Sequence, residues 1–316
     1  MGKKAMVWGA LANNLPDIDV ITSLWMTQAD GLMAHRGFTH SILFAIVVTP
    51  LLSYYCFRRY KQNNHTLNDW LWLIGSGLFI HIVIDAFTSY GTGWYEPFSH
   101  ERVTFNLIFV ADLLYTLPFI IGAVVLMILR KNHPRRVFWQ RFALLVNSFY
   151  LVFALRNKLE TDAAAKSAFE NQHVQVERYF TTPTPLNNFL WYVVGAVDSG
   201  YFIGYRSILD TFPMEQLVFF PANDSLATEF KGRDEVTKLL RFADGFATFS
   251  KADSQVVLND LRFGQVGGWS HADAPFVFRY VLTENADNDL VIQKGRMEAF
   301  SAASIQSLWN RMLGRK

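Results

Sequence analysis

Cysteine is almost missing from this chain of 316 residues, with Cys56 its sole representative. A lone cysteine excludes an intramolecular disulfide and a cysteine-rich zinc site. In the apolar run that holds it, the thiol reads as a small buried or lipid-facing group. A dominant charge is lacking too. The formal net charge of +2 gives no broad basic surface, and so no argument for a nucleic-acid partner. Nor is a secretory signal evident: Met1-Gly2-Lys3-Lys4 is basic, but Ala5–Ala12 is short and no small-residue cleavage site follows.

Apolar sequence is what the chain has in excess. Hydrophobic residues make up 51% and the mean hydropathy is +0.14, high for a soluble protein of this length. The excess is uneven. Residues 41–155 hold most of the apolar runs, whereas 156–316 reads as an ordinary soluble domain. The expected fold is an α-helical membrane bundle of four to five spans (residues 1–155), followed by a small α+β soluble domain with an antiparallel sheet (156–316).

A span needs about 20 mostly apolar residues. Ser41–Phe57 carries no charge and ends at Arg58-Arg59-Tyr60-Lys61. Trp70–Tyr90 is apolar except for His81 and Asp85. Leu113–Leu129 ends at the basic stretch 130–136, and Val137–Leu155 contains only Arg141. Ala5–Leu15 is too short to cross alone and reads as the end of a span whose beginning is missing from this chain. The positive-inside rule places both basic clusters in the cytoplasm. His35 and His40, just ahead of the 41–57 span, then lie on the outer side. So do His81 and Asp85, Asp17 and Asp19 after the first segment, and Asp112 before the 113–129 span. The last span delivers residues 156–316 to the outer face.

Ionisable groups are costly near a membrane and persist there mostly with a task. Asp with His is also a ligand set that divalent metals accept. His81 and Asp85, four apart on a helix, share one face. Asp17 and Asp19, in a turn at a proline, offer two carboxylates, or one ligand and one partner that orients a histidine. Thr39 and Ser41 flank His40 and can orient ligands or water. Each piece has a plainer alternative: helix packing or a proton relay for His81 and Asp85, a turn or cap for Asp17 and Asp19, and a helix N-cap for Asp112. Arg36 either binds an anionic group or pairs with a carboxylate. His65, His100, His133, His173 and His271 lack acidic or histidine neighbours at ligand spacing and read as solvated.

Leu15-Pro16-Asp17-Ile18-Asp19, then His35-Arg36-Gly37-Phe38-Thr39-His40-Ser41, then His81-x-x-x-Asp85-x-x-Thr88-x-Tyr90-Gly91-Thr92, then Trp94–Ser99 together resemble the bacterial inner-membrane family called membrane-bound metal-dependent hydrolases. The likeness covers roughly residues 1–130, and the tail resembles an extended branch with a soluble C-terminal domain. It implies Asp17, Asp19, His35, His40, His81 and Asp85 as metal ligands, with Asp112 at a further acidic position. It also implies a further N-terminal helix bearing polar residues, of which Ala5–Leu15 is then the end. The His81/Asp85 element is similar, by fold-level analogy only, to helical zinc phosphoesterases. The preferred reaction is therefore phosphoester hydrolysis in the bacterial cytoplasmic membrane, at its outer face. A metal lowers the pKa of its water, and Asp19, His40 and Arg36 carry the catalysis, Arg36 by steadying an anionic group. Zinc is the first choice of divalent metal, with manganese or iron allowed by the same ligands. The expected partner is membrane lipid, with a phospholipid or lipid-linked phosphoester as substrate. A non-catalytic membrane protein with a structural metal and a partner-binding outer domain is the alternative. A transporter is disfavoured by the absence of an evident inverted repeat.

In the C-terminal half, Glu160–Phe180 reads as a polar helix, ended by Thr182-Pro183-Thr184-Pro185. Phe189–Val197 and Tyr201–Ile208 flank Asp198-Ser199-Gly200 as a hairpin. Further strands are expected at Leu217–Phe220, Val256–Gln265, Phe276–Leu282 and Leu290–Lys294, with helices at Asp234–Phe246 and Ser304–Leu313. Trp191, Trp269 and Phe276 read as core, or alternatively as contacts to lipid or substrate. Asp210, Asp260 and His271 show no catalytic arrangement.

Overall fold

A computed structural model describes residues 3–61, 65–214, 217–252, 254–282, 292–294 and 302–315. The chain forms two compact units, one from Met1–Met26, Met33–Phe105 and Leu113–Leu151, the other from Thr27–Leu32, Asn106–Asp112 and Val152–Lys316.

The first unit is helical. It contains α1 (Lys3–Asn14), a 3-10 segment (Pro16–Leu24), a short 3-10 turn (Phe38–His40), α3 (Ile42–Arg59), α4 (Leu67–Ala86) and α5 (Leu113–Ile128). The intervening α2 (Gln28–Ala34) and the long α6 (Arg135–Asn171) have residues in both units. Local chemistry sets the ends. The Ser41 side chain accepts from Phe44 N at 3.0 Å and starts α3. Thr66 and Asp69 cap each other reciprocally at the start of α4. Along α4, Trp70, Ile74, Leu78, Ile82 and Ala86 are buried, a stripe with the spacing of one helix face. Ala12 with Trp8, and Cys56 with Val48 and Leu52, pack on its upper part. α3 and α4 thus pair as a hairpin. Ser41 and Ala86 stand at one end, and Arg58 and Arg59 at the other.

Among the described residues, three helices are long and apolar enough to cross a membrane: α3, α4 and α6. The segment expected as a further span, α5, has 16 residues, short of the usual 20 or so. α6 runs unbroken for 37 residues, where a span to Leu155 and a separate polar helix from Glu160 to Phe180 were expected. The reason is local: no glycine or proline occurs between Pro134 and Pro183. The helix stops at Asn171, just before His173 takes a left-handed φ of 56°, and 178–183 is strand instead.

Among its described residues the second unit holds two four-stranded antiparallel sheets rather than the single one expected. The first comprises β1 (Arg178–Pro183), β2 (Leu190–Val197), β3 (Gly200–Ser207) and β4 (Val218–Pro221). The second comprises β5 (Ala247–Ala252), β6 (Gln255–Gln265), β7 (Phe276–Leu282) and β8 (Ile292–Lys294), and helices α7 (Asp234–Phe242) and α8 (Ala302–Met312) complete the unit. Leu290 and Val291 of the last expected strand lie outside the described residues. The β2–β3 hairpin pairs Val197 with Gly200, and a side chain at Gly200 would collide with the Phe220 carbonyl. Alternate residues of β2 face opposite ways. Tyr192 and Val194 meet Phe246, Leu261 and Phe276 between the sheets, while Val193 meets Ala165, Ala168 and Phe169 of α6. Trp191 and Phe276 are buried.

Candidate metal centre

Three pieces of backbone converge at the Ser41–Ala86 end of the α3–α4 hairpin. The 3-10 segment supplies Asp17 and Asp19, the 35–40 stretch supplies His35, Arg36 and His40, and the last turns of α4 supply His81 and Asp85. The loop after α4 closes around them. Gly93 N donates to Arg36 O at 2.8 Å, Ile42 N to Trp94 O at 3.0 Å, and Trp94 Nε1 to Ile82 O at 3.1 Å. Arg102 Nη2 donates to the carbonyls of Met33 and His35 at 3.0 and 2.8 Å.

One ligand atom each from Asp17, His40, His81 and Asp85 lies within 4.8 Å of every other. His40 Nε2 and His81 Nε2 are 3.2 Å apart. His40 Nε2 is 3.4 Å from Asp17 Oδ1 and 3.3 Å from Asp85 Oδ2, and His81 Nε2 is 3.6 and 3.5 Å from the same two oxygens. These spacings decide between two explanations. Two imidazoles and two carboxylates can share protons, but each Nε2 carries at most one, and here each faces another ring nitrogen and two carboxylate oxygens. A tetrahedral cation with bonds of about 2.0–2.1 Å sets its donors about 3.3–3.4 Å apart. Five of the six donor pairs fall close to that value. Asp85 Oδ2 is moreover buried without an aligned hydrogen bond, which is costly unless something else meets it. The residues fit a divalent cation.

Behind the donors stands Asp19, itself buried. Its Oδ2 accepts from Arg36 N at 3.0 Å and Thr39 Oγ1 at 2.7 Å and lies 3.3 Å from His40 Nδ1, while its Oδ1 takes His35 Nδ1 at 2.9 Å. A carboxylate on Nδ1–H turns the Nε2 lone pair of His40 toward the other donors, an arrangement that orients metal-binding histidines. Asp19 and His35 are therefore brought to the site but not among its four converging donors. Asp112 is buried just ahead of α5, in the second unit, and is not among them either.

Arg36 closes the opposite side. Its φ of 58°, uncommon for a residue with a side chain, lets its N–H reach Asp19 while its guanidinium reaches Asp85. Arg36 Nε lies 3.0 Å from Asp85 Oδ2 without hydrogen-bond alignment, so this is a charge contact. Nη1 donates to Thr88 Oγ1 at 2.7 Å, and the guanidinium covers Tyr90 at 5.1 Å. Thr88 and Tyr90 were visible beforehand only as letters of a motif; nothing in the sequence pointed to Arg102.

Electrostatics follow from these contacts. Hydrogen bonds from His40, then His81, hold the Asp17 carboxyl well below the usual range. Burial alone would raise Asp19, but His35, His40 and Thr39 outweigh it and keep it low. Burial alone would lower His40; the carboxylates of Asp17, Asp19 and Asp85 reverse this and push it up to about 10. Without a cation, the site therefore holds a proton on His40 at neutral pH. Access comes past Asp17, whose side chain is 40% exposed while that of His40 is fully buried.

Of the histidines read as solvated, His100 is not free of acidic neighbours: its Nδ1 pairs with Glu96 Oε1 at 2.7 Å, one turn back in the loop. Asp260 and Asp210 are the carboxylates of internal ion pairs with Arg262 and Arg311.

A family model described as YdjM inner membrane protein matches residues 2–159, half of the chain. The chain belongs to the YdjM inner membrane protein family. The matched stretch includes all four converging donors, and with the three apolar helices it makes this a bacterial inner-membrane protein. Among relatives, the uncharacterized protein YfhP of Bacillus subtilis (strain 168) is 27% identical over 292 residues, covering 88% of this chain and 81% of its own. Inner membrane protein YbcI of Escherichia coli (strain K12) is 38% identical over 96 residues, which is 30% of this chain and 54% of that protein. No solved structure matches the chain.

Proposed function

We propose that this YdjM-family protein is a metal-dependent hydrolase of the cytoplasmic membrane, cleaving a phosphoester or other lipid-linked substrate at the outer face. The observation that carries the reading is the convergence of Asp17, His40, His81 and Asp85, with one donor open to solvent and a guanidinium alongside. When bound, a divalent cation, zinc first and manganese or iron next, supplies Lewis acidity and activates water near neutral pH. The chain's own residues do the rest. Asp19 fixes the tautomer and orientation of His40. Arg36, anchored by Thr88, offers positive charge to an anionic phosphoryl group. Asp17, the exposed donor, marks the side from which substrate enters.

In this reading α1 and α5 add to the three long helices to make four to five spans. The basic residues at 58–61 and 130–136 face the cytoplasm, and the soluble domain from residue 156 is extracytoplasmic. The motif set resembles the extended branch of the membrane-bound metal-dependent hydrolases, which supports the same conclusion.

A specific observation favours a second reading. Four protein donors at near-tetrahedral spacing is also how structural zinc is held, and the protein is then a non-catalytic one whose outer domain binds a partner. Stripping and restoring zinc or manganese, while following cleavage of a water-soluble phosphodiester and of phospholipid vesicles, separates the two. Hydrolysis that returns with metal and disappears in Asp17→Asn is the expected result. A stoichiometrically loaded protein inert toward every phosphoester offered, yet melting at lower temperature when stripped, would replace the first reading by the second.

A further inference from the structure

Beside the donors, an apolar groove of about 500 Å³ is lined by Trp8, Leu11 and Leu15 on one wall and Val48, Leu51 and Tyr55 of α3 on the other. Ala12 of α1 and the α4 residues Trp70 and Ile74 form the packed core beneath these helices. One end of the groove is tied to the site by the chain itself: Leu15 is followed by Pro16 and the donor Asp17. From Val48 to Tyr55, α3 rises roughly 10 Å away from that end. The lining has little to offer a polar ligand, since Trp8 Nε1 is committed to Tyr60 Oη at 3.3 Å. A head group or peptide backbone placed there would leave its polar atoms unmet, which is unfavourable. A hydrocarbon chain would not.

A second observation says what covers this side. Along the 3-10 segment, Asp17 and Asp19 turn to the site while Ile18, Val20, Ile21 and Leu24 are exposed, as is Trp25 just beyond. Phe38, Tyr95 and Phe98, on the neighbouring turn and loop, are exposed as well. Apolar and aromatic side chains presented at the ends of membrane-crossing helices belong to the bilayer interface. The rim thus sits at head-group level, and the groove descends from it along a helix able to cross the membrane.

We infer that the groove holds one acyl chain of a membrane phospholipid and delivers that lipid's phosphoester to Asp17. The chemistry rests on the hydrolase reading, but the binding does not. The test uses full-length protein in phosphatidylglycerol–phosphatidylethanolamine vesicles doped with phosphatidylglycerol that carries a diazirine on one acyl chain, with labelled residues mapped after illumination. Label several-fold richer on Trp8, Leu11, Leu51 and Tyr55 than on Leu145 and Phe149, exposed apolar residues of α6, is expected. Filling the groove with Leu51→Trp should then lower the label on the remaining groove residues. Equal labelling of groove and α6 in the wild type would overturn the inference as ordinary bilayer contact. Disulfide formation between two copies through Leu11→Cys or Leu51→Cys, with groove labelling no higher than that of α6, would overturn it in favour of a second chain. Cleavage of a water-soluble phosphodiester, measured in parallel, keeps the two proposals apart. Groove labelling without cleavage retires the hydrolase and keeps the groove, whereas cleavage with uniform labelling does the reverse.

Discussion

Both units bury charge, and they settle it differently. In the C-terminal unit the buried carboxylates of Asp260 and Asp210 each have a matched arginine. Asp260 takes Arg262 N, Nε and Nη2 at 3.0, 3.1 and 2.7 Å, and the guanidinium lies between Phe242 and Phe263. Asp210 takes Arg311 through both oxygens, at 2.5 and 2.7 Å, with Ser207 N as a third donor. These are closed arrangements that need nothing further. In the helical unit, Asp17, His40, His81 and Asp85 crowd four ligand atoms together, and a buried oxygen of Asp85 meets no aligned donor. Buried polar atoms are normally satisfied. A closed pair therefore points to architecture, and an over-supplied cluster points to a ligand.

The sharpest way to break this contrast is to remove one member from each region. His40→Ala should reduce metal affinity by more than the roughly 100-fold typical of losing an outer partner, read by metal analysis of the purified protein, with the C-terminal unit's own unfolding transition unmoved. Asp260→Ala should leave metal content intact while costing about 3–5 kcal/mol of stability, because it strands a buried guanidinium; denaturant melts check it. If His40→Ala instead only destabilised the protein and left metal bound, the two regions would not differ in kind.

Asp19 tests how far the cluster extends. Asp19→Asn keeps the shape but loses the carboxylate that orients His40, so affinity should drop about 10–100-fold with folding preserved. Titrating metal into both proteins by calorimetry decides it. The pH dependence should also separate the regions. His40 of the metal-free protein is held protonated up to about 10, and a cation must displace that proton. Affinity should therefore rise with pH across neutrality, by about tenfold per unit for each proton released. The sign for the empty protein is opposite. A raised histidine contributes stability in full below its unfolded value of 6.5 and loses it as pH rises through about 10. The smallest effect belongs to Lys238, which bridges Asp30 and Asp234 at the surface; Lys238→Ala should cost no more than about 1 kcal/mol, read from thermal melts.

How much of this was legible beforehand depended on the distance over which a residue's role is decided. His81 and Asp85 share a helical face at a spacing readable from four letters. Asp17 and Asp19 looked equivalent in sequence and are not. Which of them meets the cluster depends on a 3-10 path and on His35 and His40, 16 and more positions away. Hydropathy falls past Leu155 and suggests an end to the helix, yet no glycine or proline intervenes and α6 continues to Asn171. At Asp234–Phe246 the departure runs the other way. That helix stops at Phe242, since Asp244 and Gly245 adopt left-handed φ values of 50° and 70°, which frees Phe246 for the core between the sheets. β5 follows that turn and was hidden by it. The hairpin at Asp198-Ser199-Gly200, by contrast, was written in its turn residues.

One divalent cation shared by Asp17, His40, His81 and Asp85 leaves a signature in X-ray absorption at the edge of the metal that accompanies the purified protein. The expected spectrum shows a shell of nitrogen and oxygen donors at about 2.0–2.2 Å with imidazole back-scattering that weakens in His81→Ala. A protein carrying no stoichiometric divalent metal, or a metal whose shell contains no imidazole, would rule out a shared cation at these four residues.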